Sequence, residues 1–214
     1  MICMQRQFWS AERTNRSLEV LRALPEGLDF VLIGGWAVYL YVGNQKSEDV
    51  DIAINLDKLD FFRKYGIEGY DGTTIKYSII NGTRVDLFIS GYTDRDLPLP
   101  ISKIMRDYVV IEGMKVVDRE LLLLLKLWGY FGHDEVKIRK DIIDVVSLVF
   151  YGSIGFEKFA SYIKEYKVSK RRSSDALLEY LDRSEGLWEY ISPSKQEFDA
   201  LKRRYKSRLR MLFG

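Results

Sequence analysis

Apolar positions along the chain change period several times, and each change predicts an element. Leu18, Leu21 and Leu24 recur at helical spacing from about Ala11 to Leu24, and Pro25, Glu26 and Gly27 close that segment. The run Phe30 to Ile33 ends in Gly34-Gly35 and is followed by Trp36 to Val42, which predicts strand, tight turn and helix, with Gly43 and Asn44 as the stop. Asp49 to Leu56 alternates strictly, with Val50, Ile52, Ile54 and Leu56 on one face of a strand and Asp49, Asp51, Ala53 and Asn55 on the other. Asp57 to Tyr65 predicts a short helix capped by Asp57 and stopped by Gly66, with Gly69, Asp71 and Gly72 in the loop after it. Two strands, Thr74 to Ile80 and Thr83 to Ile89, flank Asn81-Gly82, a dipeptide suited to a type I′ turn; with a two-residue loop, Asp86 faces Tyr77. Pro98 and Pro100 mark a break, Tyr108 to Val117 predicts a second hairpin around Glu112-Gly113, and Asp118 is placed to cap a helix carrying Leu121 to Trp128. Beyond it the pattern is helical.

The order of elements predicts an α/β (α+β) fold: a small mixed β-sheet with flanking helices over residues 1–117, then an α-helical C-terminal region over residues 118–214. At 214 residues and 47% hydrophobic, the chain has material for a sizeable core. Its uncharged apolar runs, Leu121 to Leu125 among them, are far below the roughly 20 residues of a membrane helix, and no cleavable leader is recognisable, so a soluble cytoplasmic protein is expected. Cys3 and His133 are each alone of their kind, which excludes an internal disulfide and argues against a four-ligand zinc site. His133 beside Asp134 is read as incidental. The net charge of +2 is too balanced to announce nucleic-acid binding, but Lys202 to Gly214 carries six basic residues and no acidic one. There Phe198, Leu201, Tyr205, Leu209 and Leu212 form one apolar helical stripe, which predicts either a docked amphipathic helix or a basic surface for an RNA.

Two aspartates at i and i+2 on a β-branched strand need a reason, because Asp is depleted in strands. Asp49 and Asp51 share a face, and Asp86 lies on another strand whose Val85, Leu87 and Ile89 point the other way, so three carboxylates can converge. Taken alone, an Asp-x-Asp also solvates the open face of a strand, and Gly34-Gly35 is also an ordinary tight turn. With all-oxygen ligands such a cluster favours Mg²⁺ or Mn²⁺, while backbone N–H groups at a strand-to-helix turn can hold phosphate.

In order, Gly34-Gly35-Trp36-Ala37, Ser47-Glu48-Asp49-Val50-Asp51 and Arg84-Val85-Asp86-Leu87 resemble the signature of the nucleotidyltransferase superfamily related to DNA polymerase beta, in its minimal or AbiE-type toxin-like form. Lys126 followed by Arg139-Lys140-Asp141 and Asp144 is similar to a helical motif of the AbiE-like group. The resemblance spans about Phe30 to Val146 and implies a nucleotidyltransferase fold that transfers a nucleoside monophosphate to an acceptor hydroxyl on RNA, protein or a small molecule. It implies Asp49, Asp51 and Asp86 as catalytic metal ligands for Mg²⁺ (or Mn²⁺). Gly34, Gly35, Lys46, Ser47, Lys126 and Arg139 are the nucleotide-binding candidates; by itself Lys126 also reads as a snorkelling core-edge lysine and Arg139 as a solvated helix start. A toxin role with a cognate antitoxin partner follows from the same likeness. The sequence departs from the pattern at Gln45, where an Arg is frequent, which either shifts triphosphate binding onto Lys46 or the later helix or weakens it. A catalytically silent nucleotide-binding module of the same fold is the alternative.

Overall fold

The computed structural model describes residues 6–25, 27–69, 74–94, 97–129 and 135–213. Cys3, Glu26, Asp71, Gly72 and the His133-Asp134 pair lie outside them. The chain divides into two compact units, one of residues 9–40 and 46–118, the other of residues 1–8, 41–45 and 119–214.

The first unit is a mixed seven-stranded sheet with helices. Its strands are β1 (Phe30–Ile33), β2 (Val50–Ile54), β3 (Glu68–Gly69), β4 (Lys76–Ile80), β5 (Thr83–Ile89), β6 (Tyr108–Ile111) and β7 (Met114–Val117), in the order β3-β4-β5-β2-β1-β7-β6. β2 runs parallel to β5 and antiparallel to β1; β1 and β7 are parallel, and the remaining pairs are antiparallel. β2 therefore sits at the centre, where Val50, Ile52, Ala53 and Ile54 are all buried. The expected strand is longer than the observed one. Leu56, assigned by alternation to the greasy face, is 60% exposed, because the chain leaves the sheet at Asn55 for a 3₁₀ turn, Leu56–Lys58.

Helix α1 (Ala11–Ala23) is capped by the Ser10 hydroxyl, and it buries Thr14, Ser17, Val20 and Leu21. Its inward stripe thus passes through two hydroxyl residues rather than through half-buried Leu18. Helix α2 (Gly34–Val42) starts directly at Gly34, without an intervening turn. The short α3 (Leu59–Arg63) has Lys58 at its N-cap and no side-chain cap bond, so Asp57 does not cap it; Asp57 is held by Lys58 instead. Gly69, expected in a loop, pairs with Lys76. Both predicted hairpins form, with Asn81, Gly82, Glu112 and Gly113 all at positive φ. A one-turn helix, α4 (Ile101–Ile104), follows the Pro98-Pro100 break.

The second unit is helical, as the pattern predicts: α5 (Arg119–Gly129), α6 (Glu135–Tyr151), α7 (Phe156–Glu165), α8 (Lys170–Arg183), α9 (Trp188–Ile191) and α10 (Lys195–Phe213). α6 is its axis, buried without interruption from Lys140 to Phe150. On α10, Phe198 and Leu209 are buried and Tyr205 stacks on Phe150 at 5.6 Å, which shows a docked amphipathic helix. Leu212 falls outside that stripe, at 37% exposed. Among the described residues no helix is long and apolar enough to cross a membrane.

Candidate active site

Side-chain period and strand register together assemble the carboxylates. β2 and β5 align Asp51 with Asp86, and β1 aligns Ile33 with Asp51, so the end of β1 and the start of α2 lie beside the aspartates. Tyr77 stands opposite Asp86 on β4, as the hairpin requires. Its hydroxyl donates to Glu68, and that bond to a carboxylate pushes the Tyr77 phenol above its ordinary range.

Gly34 is required by its geometry. Its φ of +66° belongs to the left-handed region, and a Cβ there would lie 1.9 Å from Asp51 Oδ2 and 2.7 Å from Asp51 Cβ. The Asp51 carboxylate occupies the space a side chain would fill. Backbone N–H groups at the first turn of α2 thus lie at the same strand end as this carboxylate.

Asp49, one residue before β2, is fixed from two sides. The Ser47 hydroxyl donates to its Oδ1 at 2.8 Å, and Arg84 Nη2 lies 3.4 Å from its Oδ2. The same guanidinium reaches Asp86, with Nε 3.5 Å from Oδ1. One cation therefore spans Asp49 and Asp86, whose side chains are largely shielded from water. The motif of the sequence includes Arg84 without giving it a role. Alternation nevertheless carries the signal, since a basic residue two positions from a carboxylate on one strand shares its face.

A further layer of hydrogen bonds was not legible in the sequence. Ser17 of α1 donates to the Ser47 carbonyl at 2.6 Å and accepts from the Trp36 indole at 3.2 Å. This buried relay ties α1 and α2 to the segment that orients Asp49. Arg13 adds an ion pair to Glu48 at 2.8 Å.

Gln45 is explained by its neighbours in the helical unit. It is fully buried, its Nε2 donates to the carbonyls of Arg6 and Tyr190 at 2.7 and 2.9 Å, and its Oε1 accepts from the Phe8 amide at 2.9 Å. Those bonds engage both polar atoms of its amide in holding backbone. Lys126 and Arg139 also belong to this unit. Lys126 Nζ lies 3.1 Å from Asp141 Oδ1 and 2.9 Å from Asp144 Oδ2, with Lys140 on the other oxygen of Asp144 at 2.5 Å. This is a compact buried network of two lysines and two aspartates joining α5 to α6. Arg139 is exposed on α6, and Lys46, beside Ser47, is half-buried.

As they stand, the three aspartates are held by protein groups. Among the described residues no three carboxylate, His or Cys side chains are drawn together tightly enough to ligate one ion. The donor set is all oxygen, and a cationic guanidinium already lies against two of its members, so this face calls for positive charge.

No family model matches the sequence, and no curated protein matches it. Among solved structures, JHP933 from Helicobacter pylori is similar with a TM-score of 0.51 at 17% identity, covering 95% of each chain, a likeness of fold. A second structure, of a "putative nucleotidyltransferase from H. pylori", has a TM-score of 0.49 at 17% identity and covers 95% of this chain and 99% of that one.

Proposed function

We propose that the chain is a nucleotidyltransferase that moves a nucleoside monophosphate from a nucleoside triphosphate to an acceptor hydroxyl. The observation that carries this reading is the register of Asp51 with Asp86 on adjacent parallel strands, with Asp49 joined to Asp86 through Arg84. Asp49, Asp51 and Asp86, which as they stand are not drawn together around one ion, would close on Mg²⁺ (or Mn²⁺) in competition with Arg84 for two of them. When bound, the metal supplies Lewis-acid stabilisation of the phosphoryl charge and of the leaving pyrophosphate.

In this reading the acceptor oxygen attacks the α-phosphorus, the bond from that phosphorus to the bridging oxygen breaks, and pyrophosphate leaves with the electron pair. Asp86 takes the hydroxyl proton, being the carboxylate on the strand beyond the Asp49–Asp51 pair. Ser47 and the Ser17–Trp36 relay keep Asp49 in one rotamer. The amides of Gly34 and Gly35 at the start of α2 bind phosphate oxygens. Lys46, next to Ser47 in the same unit as the aspartates, is the basic group assigned to the triphosphate; Lys126 and Arg139, the other candidates of the motif, belong to the helical unit, where Lys126 is paired with Asp141 and Asp144.

The finer reading, a toxin with an RNA acceptor and a cognate antitoxin, rests on the sequence motifs and on the basic face of α10. The test is incubation with each labelled triphosphate and Mg²⁺, with and without bulk RNA, scoring pyrophosphate release and labelled acceptor. Release that disappears in Asp51→Asn supports transfer. Protection of the fold by nucleotide with no release under any condition establishes the silent binding module instead.

A further inference from the structure

A single row of side chains crosses four strands on the face that carries the aspartates. Glu68 pairs with Tyr77, Tyr77 with Asp86, and Asp86 with Asp51, so the four stand abreast on β3, β4, β5 and β2. The two ends of this row differ. Beside Asp51 lie the end of β1 and the first amides of α2, which the proposed function assigns to phosphate. Beyond Asp86, on the side away from those amides, stand Tyr77 and Glu68.

That side is open and apolar. Ser78 and Ile80 of β4 are buried on the opposite face, whereas half-buried Tyr77 and Ile79, 46% exposed, share the face of Asp86 and Arg84. Cationic groups are committed elsewhere. Lys76, the one basic residue of β4, is on the opposite face, with its Nζ 5.7 Å from the centre of the Tyr92 ring. Arg84 is engaged by Asp49 and Asp86, and the rim is a carboxylate, that of exposed Glu68. Because the Tyr77 hydroxyl donates to Glu68, the ring is held in one orientation on the strand next to Asp86. Such a floor repels an anionic group and suits a flat, uncharged one.

We infer that Tyr77 positions the acceptor: a planar, uncharged ring of the acceptor stacks on it while the hydroxyl beside that ring reaches Asp86. Tyr77 and Asp86 are one strand spacing apart, about 4.8 Å, so ring and hydroxyl belong to neighbouring parts of one compound, as in a nucleoside. The hydroxyl oxygen bonds to the α-phosphorus, its proton passes to Asp86, and pyrophosphate leaves with the electron pair. Glu68 acts through Tyr77, by holding its phenol. The inference rests on the nucleotidyl-transfer reading and adds to it a selection among acceptors.

Adenosine and methyl riboside offer the same ribose hydroxyls with and without the ring, and each is supplied as sole acceptor with a labelled triphosphate and Mg²⁺. The wild type is expected to favour adenosine by about tenfold or more in kcat/KM, the scale of stacking on one aromatic side chain. Tyr77→Phe should keep that ratio. Tyr77→Leu should bring it close to one by raising KM for adenosine, and neither variant should alter triphosphate affinity. Should Tyr77→Leu fail to fold, Tyr77→Trp decides, with a larger ratio expected from its larger ring. A ratio near one in the wild type, a ratio that Tyr77→Leu leaves intact or that Tyr77→Trp fails to raise, or pyrophosphate release with no transfer to either compound overturns the inference while the proposed activity stands. No release under any condition removes that activity, and the inference with it.

Discussion

Replacing Gly34 by Ala separates two costs that the structure allows to be worked out. The first is conformational: at φ +66° an L-residue costs about 1–2 kcal/mol. The second is steric. Turning the Asp51 side chain about χ1 would clear the 1.9 Å approach to Oδ2, but Asp51 Cβ would still lie 2.7 Å away, so backbone must open to reach the 3.4 Å of ordinary van der Waals separation. Overpacking of this kind adds about 1–3 kcal/mol, for a total of about 2–5 kcal/mol. Gly91→Ala is the control: φ is +76°, nothing lies within 4 Å of its added Cβ, and it belongs to the same unit. It should cost about 1–2 kcal/mol. Urea denaturation of both variants, followed by sheet ellipticity, measures the difference. Since the forced movement acts on Asp51, Gly34→Ala should also reduce nucleotidyl transfer by about a hundredfold, as a displacement near 1 Å does in other sites, while Gly91→Ala should not. Equal stability losses in the two variants would show that Asp51 does not fill the space above Gly34.

Arg84→Gln removes the cation between Asp49 and Asp86; it should destabilise the metal-free protein by about 1–3 kcal/mol and enlarge the melting rise expected from Mg²⁺ under the proposed function, read by calorimetry with and without the ion. An unchanged Mg²⁺ response would mean that Arg84 and the ion do not compete. Glu185 accepts hydrogen bonds from Lys195 and Lys202, which hold its carboxyl down at about 2 from the ordinary 4.5. A depressed folded pKa gives stability that is present above 4.5 and fades as pH falls towards 2, so Glu185→Gln should flatten the acid limb of the melting curve across that window. Arg203 and Arg210 lie, with Lys206, Ser207 and exposed Met211, along an open face of α10. If the basic residues of α10 hold RNA, neutralising Arg203, Arg204 and Arg208 should lower the salt slope of binding by roughly 0.7 for each phosphate no longer neutralised; an equal slope leaves α10 as a docking helix alone.

The strand positions of the three aspartates were legible because they depend on period and register, whereas the expected convergence on one ion is not what the described side chains show. Asp49 and Asp51 on one face follow from alternation, and Asp86 opposite Tyr77 follows from Asn81-Gly82 as a two-residue turn. The second hairpin and the helical C-terminal region were legible for the same local reasons. What the sequence hid depends on interactions between distant segments. No local pattern pairs Ser17 with Ser47 or Trp36, since a serine at that spacing reads as a break in a leucine stripe. Gln45 reads as a missing arginine, whereas its amide closes backbone from segments far apart in the chain. Lys126 is ambiguous between core edge and phosphate ligand in the sequence because its ion partners lie a helix away, on α6. Leu56 misleads because alternation continues for two residues after the strand has turned away.

The proposed mechanism stands on a division of labour in which Asp86 takes part in the chemical step while Asp49 and Asp51 also serve nucleotide binding. Asp86→Asn keeps side-chain size and strand position and removes the base and the negative charge. Single-turnover transfer and equilibrium triphosphate binding, measured side by side in Asp86→Asn, Asp49→Asn and Asp51→Asn, test that division directly. Asp86→Asn is expected to bind triphosphate nearly as the wild type does and to transfer at least about a hundredfold more slowly, whereas the other two variants lose both. Near-normal transfer in Asp86→Asn would contradict it.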